Sequence, residues 1–100
     1  MLTNLAYIGI YPDAIDSAIN ACELAMQKAG MSVAEIDKMN EMALEQFHEC
    51  GSLEDITNSV IDAYFDTTKY LIDEKFPGRE TDYYVNCHDS HFYMDGEEVL

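Results

Sequence analysis

The sequence predicts an α+β fold in which three antiparallel helices are followed by a small C-terminal antiparallel β meander or hairpin. Apolar residues recur at helical spacing in three long segments between residues 12 and 76. Two of these segments begin with a Ser-initiated capping box, and all three stop at Gly or Pro-Gly. The last 20 residues are rich in strand formers and contain Asp95-Gly96. We therefore expect a single domain over residues 1–100, helical over about 12–76, with the meander over about 81–100.

The first helix is predicted from its two ends. The apolar segment 5–11 stops at Pro12, which fits the first turn of a helix, and Gly30 is the expected C-terminal cap. The segment 5–11 is too short for periodicity to decide between a strand and one irregular helical turn.

The second and third helices are predicted from their capping boxes. Ser32 and Glu35 begin the second helix, which we expect to end at Gly51, and Ser52 begins the third, which Pro77 stops. Links of two or three residues between helices indicate antiparallel neighbours. The expected apolar stripes are Val33, Ile36, Met39, Ala43 and Phe47 in the second helix, and Leu53, Ile56, Val60, Tyr64, Thr68, Leu71 and Ile72 in the third.

The meander is predicted as strands over residues 82–87, 91–94 and 97–100, the last two joined by Asp95-Gly96. Most aromatic residues of the second half are expected in the core, where the helices meet the sheet. Tyr83 and Tyr84 would face opposite ways on a strand, so one of them is expected to reach solvent.

Composition excludes several classes of function. The chain carries 20 Asp and Glu against five Lys and Arg, a formal net charge of −15. Such a chain is not expected to neutralise nucleic-acid phosphates or to adhere to anionic membranes. Its N-terminus lacks the basic region of a signal peptide, and three Cys are too few for a disulfide framework. These features favour a cytoplasmic protein, and we expect a non-enzymatic one because no catalytic motif is recognisable.

The acidic residues are arranged in rows. On the second helix they recur every four residues, and on the third they continue toward its C-terminal end. Residues four apart share a helix face, and like charges there cost a few tenths of a kcal/mol per pair. We predict that these rows, extended by the acidic hairpin, bind a basic partner. The candidate partner-binding residues are Asp37, Glu41, Glu45, Glu49, Asp62, Asp66, Asp73, Glu74, Glu97 and Glu98.

The predicted partner is a basic, nucleic-acid-binding protein whose groove the acidic face would occupy in place of phosphates. In size and charge the chain resembles the acidic inhibitors that phages and mobile elements use against restriction or CRISPR systems. This is a resemblance of class and not of motif, and it implies an anti-CRISPR or other anti-defence inhibitor in the cytoplasm of a bacterial host. Two alternatives stay open: an interaction module whose charge only confers solubility, and a zinc-stabilised module.

The zinc alternative depends on two short segments that hold all three His and two of the three Cys. Neither contains a paired ligand spacing, so we predict no metal and no cofactor. Asp89-Ser90-His91 contains the three residue types of a catalytic triad, but contiguous side chains do not form that relay. The weak metal-ligand candidates are His48, Cys50, Cys87, His88 and His91.

Overall fold

A computed structural model describes residues 11–46 and 51–99 of the chain, and it confirms the predicted α+β fold. The three helices precede a three-stranded antiparallel sheet of order β1-β2-β3. Residues 5–10 of the predicted first segment lie outside the described residues. The elements are α1 (Pro12–Ala29), α2 (Val33–Leu44), α3 (Leu53–Lys75), β1 (Thr81–Tyr84), β2 (His91–Met94) and β3 (Glu97–Glu98).

The predicted caps of the helices are confirmed. Gly30 ends α1 in the left-handed conformation at φ 96°, which a residue with a side chain adopts only at a cost. Ser32 caps α2, and Ser52 caps α3 by accepting from the Asp55 backbone N–H at 3.2 Å. The Asp55 carboxylate accepts in return from the Ser52 backbone N–H at 3.0 Å.

The prediction that α2 continues to Gly51 is wrong, because α2 ends at Leu44. The Glu45 and Gln46 backbone N–H groups donate to carbonyls only three residues back, which tightens and closes the last turn. The last turn of α2 carries no basic side chain, and Glu45 places a negative charge at the carbonyl end of the helix. Phe47, the last residue of the predicted stripe, lies outside the described residues.

Two members of the predicted apolar stripes are not in the core. Val33 is 75% exposed and Leu53 is 44% exposed, although both fit the apolar periodicity of their helices. Each is the first residue of its helix, so each precedes the turns that are buried against neighbouring elements. The periodicity is right for the interior of the two helices and wrong at their first position.

The outer strands of the sheet are shorter than predicted. β1 ends at Tyr84 and not at Cys87, because Asn86 and Ser90 form a turn of their own. The Asn86 backbone N–H donates to the Ser90 hydroxyl at 2.9 Å, and that hydroxyl donates to the Asn86 carbonyl at 2.5 Å. β3 contains only Glu97 and Glu98. The predicted Asp95-Gly96 turn is confirmed, with φ values of 55° and 82° as a type I′ turn requires.

α3 is the central element, packed against α1, α2 and β1. Glu35 at the start of α2 contacts Lys75 at the end of α3, so these two helices are antiparallel. α1 and α3 run in the same direction: the Tyr11 backbone N–H donates to the Thr57 hydroxyl at one end, and Gly30 lies beside Phe76 at the other. The sheet packs on α3 through β1 and on α1 through β2.

The core joins the three helices and the sheet in one hydrophobic cluster. Phe65 of α3 joins the helices to the sheet: its ring centroid lies 5.5 Å from that of Phe92 and 5.6 Å from that of Tyr83, edge to face in both pairs. Tyr84 points to the other side of β1 and is 54% exposed, so the expectation that one of the two tyrosines reaches solvent is confirmed.

Replacing Gly51 by Ala is expected to destabilise the chain more than replacing Gly30 by Ala. The two glycines have nearly equal φ values, 95° and 96°, so the strain of about 1–2 kcal/mol is common to both. A Cβ at Gly51 would meet the Asp55 carboxylate at 2.6 Å and displace it from the capping box, whereas a Cβ at Gly30 has its nearest contact at 3.9 Å. Urea unfolding of both variants measures the difference, and equal losses of stability would contradict the role of Asp55.

Candidate functional site

The acidic row of α2 faces away from the protein. Asp37, Glu41 and Glu45 are exposed, and Ile36 and Met39 on the other side of the helix are buried. The structure therefore leaves these three predicted carboxylates accessible to a partner. Glu49, the fourth predicted member of the row, lies outside the described residues.

The acidic row of α3 borders the sheet. Asp62 and Asp66 are exposed, and the Tyr83 hydroxyl of β1 donates to Asp66 at 3.5 Å. Burial raises the pKa of Tyr83 to about 12, and the negative charges of Asp62 and Asp66 add to the effect. The phenol therefore remains a neutral donor beside two carboxylates at physiological pH.

Asp73, farther along α3, is engaged within the fold. The Lys69 ammonium lies 3.0 Å from the Asp73 carboxylate, and the Thr81 hydroxyl donates to the same carboxylate at 2.6 Å. Lys69 also donates to the Thr81 backbone carbonyl at 2.7 Å. Asp73 thus helps to hold β1 on α3, and it is less available to a partner than Asp62 and Asp66.

A groove of about 560 Å³ lies between the C-terminal end of α2 and the outer side of α3. Met42 of α2 and Gln46, which follows α2, line it on one side, and Asp66, Tyr70 and Asp73 of α3 line it on the other. Most aromatic residues of the second half were expected in the core, and Tyr70 is one that is not, with 56% of its surface exposed. The groove places an exposed aromatic ring and a methionine beside Asp66 of the α3 row.

Glu74 lies eight residues after Asp66, on the same side of α3 as Asp66 and Tyr70, and it is exposed. A hydrogen bond from the Tyr70 hydroxyl to Glu74 raises the pKa of Tyr70. Both residues line a second depression of about 460 Å³ that also contains Met42. Tyr70 and Met42 are therefore shared by two adjacent concave surfaces.

Among the described acids of the two rows, only Asp73 forms an ion pair with a Lys or Arg. Within 11–46 and 51–99, the ion pairs of Lys and Arg are Lys69 with Asp73, Lys75 with Glu35, and Arg79 with Asp95. The hydrogen bond from Lys75 lowers the pKa of Glu35 to about 2. In this part of the chain no Lys or Arg pairs with the five exposed carboxylates Asp37, Glu41, Glu45, Asp62 and Asp66.

The hairpin acids lie on a different surface. Glu97 and Glu98 line a depression of about 320 Å³ together with Lys28 and Arg79. The Glu98 carboxylate also pairs with Nδ1 of His91. The structure therefore separates the hairpin acids from the groove between α2 and α3.

The structure brings two of the five predicted metal-ligand candidates together and adds a third residue. Single ligand atoms of Glu54, Cys87 and His88 all lie within 4.8 Å of one another, and His88 Nε2 is 3.8 Å from Glu54 Oε1. Burial raises the pKa of the Cys87 thiol, and Glu54 adds to the effect. Glu54 was missed because nothing in the sequence links it to a turn 33 residues later. His48 and Cys50 lie outside the described residues.

His91 does not join this cluster. Its Nε2 lies 2.7 Å from Asp89 Oδ1, and its Nδ1 pairs with Glu98 on the neighbouring strand. The Ser90 hydroxyl donates to the Asn86 carbonyl and so does not take part in the Asp89–His91 contact. The His91 contacts therefore connect Asp89, after the turn, with Glu98 of β3.

We expect the imidazole of His91 to titrate above its ordinary pKa of about 6.5. The hydrogen bond to Glu98 raises the pKa of His91, and Asp89 adds to the effect. The stability that this contact contributes is present below the unfolded-state pKa and is lost as pH rises through the raised one. An NMR titration of the ring protons measures the shift, which Glu98→Gln should reduce. A pKa at or below the ordinary value would contradict the contact.

Among residues 11–46 and 51–99, none of the helices combines the length and the hydrophobicity that a transmembrane span requires. Comparisons with models of known protein families, with curated proteins and with solved structures found no match to this chain.

Proposed function

We propose that the protein is a non-enzymatic binding protein that occupies a basic, nucleic-acid-binding surface of a partner. The binding surface is the acidic helical face, defined as Asp37, Glu41 and Glu45 of α2 with Asp62 and Asp66 of α3. The observation that carries the proposal is that these exposed carboxylates have no Lys or Arg partner among the described residues.

Such a face is costly for a chain that needs it only for solubility. Like charges four residues apart on a helix are mildly destabilising, and alternating signs would give solubility without that cost. The same carboxylates accelerate association with a surface of opposite charge. With a net charge of −15, the whole molecule would be attracted to a groove lined by Arg and Lys.

The groove between α2 and α3 gives this face an apolar anchor. Charge steers association, but affinity is usually concentrated in a few aromatic or Arg side chains at the centre of an interface. Tyr70 and Met42 line the groove beside Asp66. An Arg or Lys of the partner could pair with Asp66 while its aliphatic stem covers the Tyr70 ring.

The proposed consequence of binding is inhibition, because a partner whose groove holds this protein cannot hold nucleic acid. Anti-defence and anti-CRISPR proteins of phages and mobile elements act on partners of this kind. The size and the charge of the chain support that role, with a bacterial nuclease or other nucleic-acid enzyme as the partner and the bacterial cytoplasm as the location.

The proposal is tested by capture from bacterial lysate with the tagged protein, followed by elution in steps of increasing salt. We expect a nucleic-acid-binding protein that elutes with salt and that added DNA or RNA duplex displaces. Binding of this type weakens steeply with ionic strength because exposed charges are screened. A partner that neither salt nor duplex displaces would contradict the proposal.

The exposed Tyr70 and Met42 also favour a second candidate, an interaction module whose contacts are mainly apolar. Its binding would resist salt and would be lost on Tyr70→Ala, because the aromatic anchor would supply most of the affinity. Charge reversal on the acidic helical face would leave it nearly unchanged. The salt steps and these two variants therefore separate the candidates.

A further inference from the structure

A cluster of Glu54, Cys87 and His88 joins the start of α3 to the turn between β1 and β2. We propose that these three side chains bind one Zn²⁺ ion and leave its fourth coordination position open to solvent. The proposal does not depend on the proposed function, because the cluster shares no residue with the acidic helical face.

The three side chains supply a carboxylate oxygen, a thiolate sulfur and an imidazole nitrogen, and each of these is a common zinc ligand. The combination of thiolate and imidazole favours Zn²⁺ over Mg²⁺ or Ca²⁺, which prefer oxygen. Tetrahedral zinc with bonds of about 2.0–2.3 Å separates its ligand atoms by about 3.3–3.8 Å. Nε2 of His88 and Oε1 of Glu54 are 3.8 Å apart, and the whole set lies within 4.8 Å. Small side-chain rotations would therefore complete the geometry.

The backbone around the cluster is held in place. Cys87 and His88 occupy the two central positions of a turn that the Asp89 backbone N–H closes by donating to the Asn86 carbonyl at 3.1 Å. The His88 backbone N–H donates to the Asn86 side chain at 3.0 Å. Glu54 lies in the first turn of α3, which the Ser52 capping box fixes. Two independently stabilised segments thus present the three ligands to each other.

Charge and shape also suit a divalent cation. A thiolate and a carboxylate would neutralise Zn²⁺, and His88 would bind it as the neutral imidazole. Cys87 and His88 line an open cavity of about 420 Å³ whose wall also includes Asp13 and Asp89. None of the described residues that line it is Lys or Arg. The cavity provides the space for a water molecule at the fourth position, as in zinc sites with three protein ligands.

The test uses the full chain, treated with EDTA, dialysed and titrated with Co²⁺ and then with Zn²⁺. We expect one Co²⁺ per chain, a near-ultraviolet sulfur-to-cobalt charge-transfer band, and loss of that band when Zn²⁺ displaces Co²⁺. Because removing partners of zinc ligands already costs about 10–100-fold in affinity, removing a ligand itself should cost at least as much. The ligand variants are Glu54→Gln, Cys87→Ser and His88→Gln, and the matched controls are Glu97→Gln, Cys22→Ser and His91→Gln.

Glu54 and His88 are exposed, so their variants test the site even if the buried Cys87→Ser variant folds poorly. Zn²⁺ is also expected to raise the unfolding temperature of the unmodified chain and not that of the ligand variants, since an ion that binds only the folded state stabilises it. A stoichiometry near zero would overturn the proposal. Ligand variants that bind as tightly as the unmodified chain would also overturn it, because the ion would then be held elsewhere.

Discussion

Reversing four carboxylates of the acidic helical face, in the variant E41K/E45K/D62K/D66K, is expected to abolish partner binding while the fold survives. Each reversal adds two positive charges, so the net charge changes from −15 to −7. All four side chains are exposed, and none pairs with a Lys or Arg in the described part of the chain. The substitutions therefore replace attraction to a basic groove by repulsion without removing any core contact.

The measurement is the dissociation constant for the captured partner at low and at moderate salt, with circular dichroism as the check on folding. A control variant with the same net charge distinguishes the effect of the acidic helical face on binding from the effect of total charge. If the control also loses binding, total charge and not the acidic helical face is responsible. If the face variant retains binding, the proposed surface is wrong. The control reverses four exposed acids outside the face: Asp13, Asp16, Glu80 and Asp82.

Truncating Phe65 to Ala is expected to lower the free energy of unfolding by about 3–5 kcal/mol. Phe65 is fully buried and its ring contacts both Tyr83 and Phe92, so the substitution leaves a cavity between α3 and the sheet. Domains of this size are stable by only about 5–15 kcal/mol, so a large part of the stability would be lost. Urea unfolding followed by circular dichroism measures the change.

Tyr84→Ala provides the control for that truncation. Tyr84 is on β1, next to Tyr83, but it points to solvent and is 54% exposed. Its removal is expected to change the stability by less than about 0.5 kcal/mol. If Phe65→Ala cost no more than Tyr84→Ala, the packing of α3 on the sheet would not be the main source of stability.

Those features of the fold that depend on neighbouring residues were predictable from the sequence. The capping boxes at Ser32 and Ser52 use side chains three residues apart, and the Asp95-Gly96 turn requires only two residues with positive φ. The spacing of the carboxylates on α2 and α3 is equally local, so their exposure followed from the helical period.

Features that depend on competition between local and tertiary contacts were not predictable. α2 ends at Leu44, where the Glu45 and Gln46 backbone N–H groups close the last turn and no basic side chain compensates the helix dipole. β1 ends at Tyr84 because the Asn86 and Ser90 side chains compete for the backbone groups of the turn. Apolar periodicity and strand propensity do not depend on either effect, so α2 and β1 were both predicted too long.

The candidate sites divide in the same way. The acidic rows were visible in the sequence, but the groove with Tyr70 was not, because it forms only when α2 and α3 pack side by side. The sequence also placed Cys87 near His88, whereas Glu54 reaches them only through the packing of the sheet turn near the start of α3. Long-range contacts of this kind leave no periodic signal.

Lys69 occupies a position that bears on aggregation. β1 is an edge strand. The carbonyl of Glu80, just before β1, accepts from the Asp95 backbone N–H on the inner side, so the next carbonyl, that of Thr81, points outward. The Lys69 ammonium donates a hydrogen bond to this outward carbonyl, which would otherwise be free to accept from a strand of another molecule. This contact disfavours intermolecular strand pairing at the β1 edge of the sheet, and mutual repulsion of highly charged copies acts in the same direction.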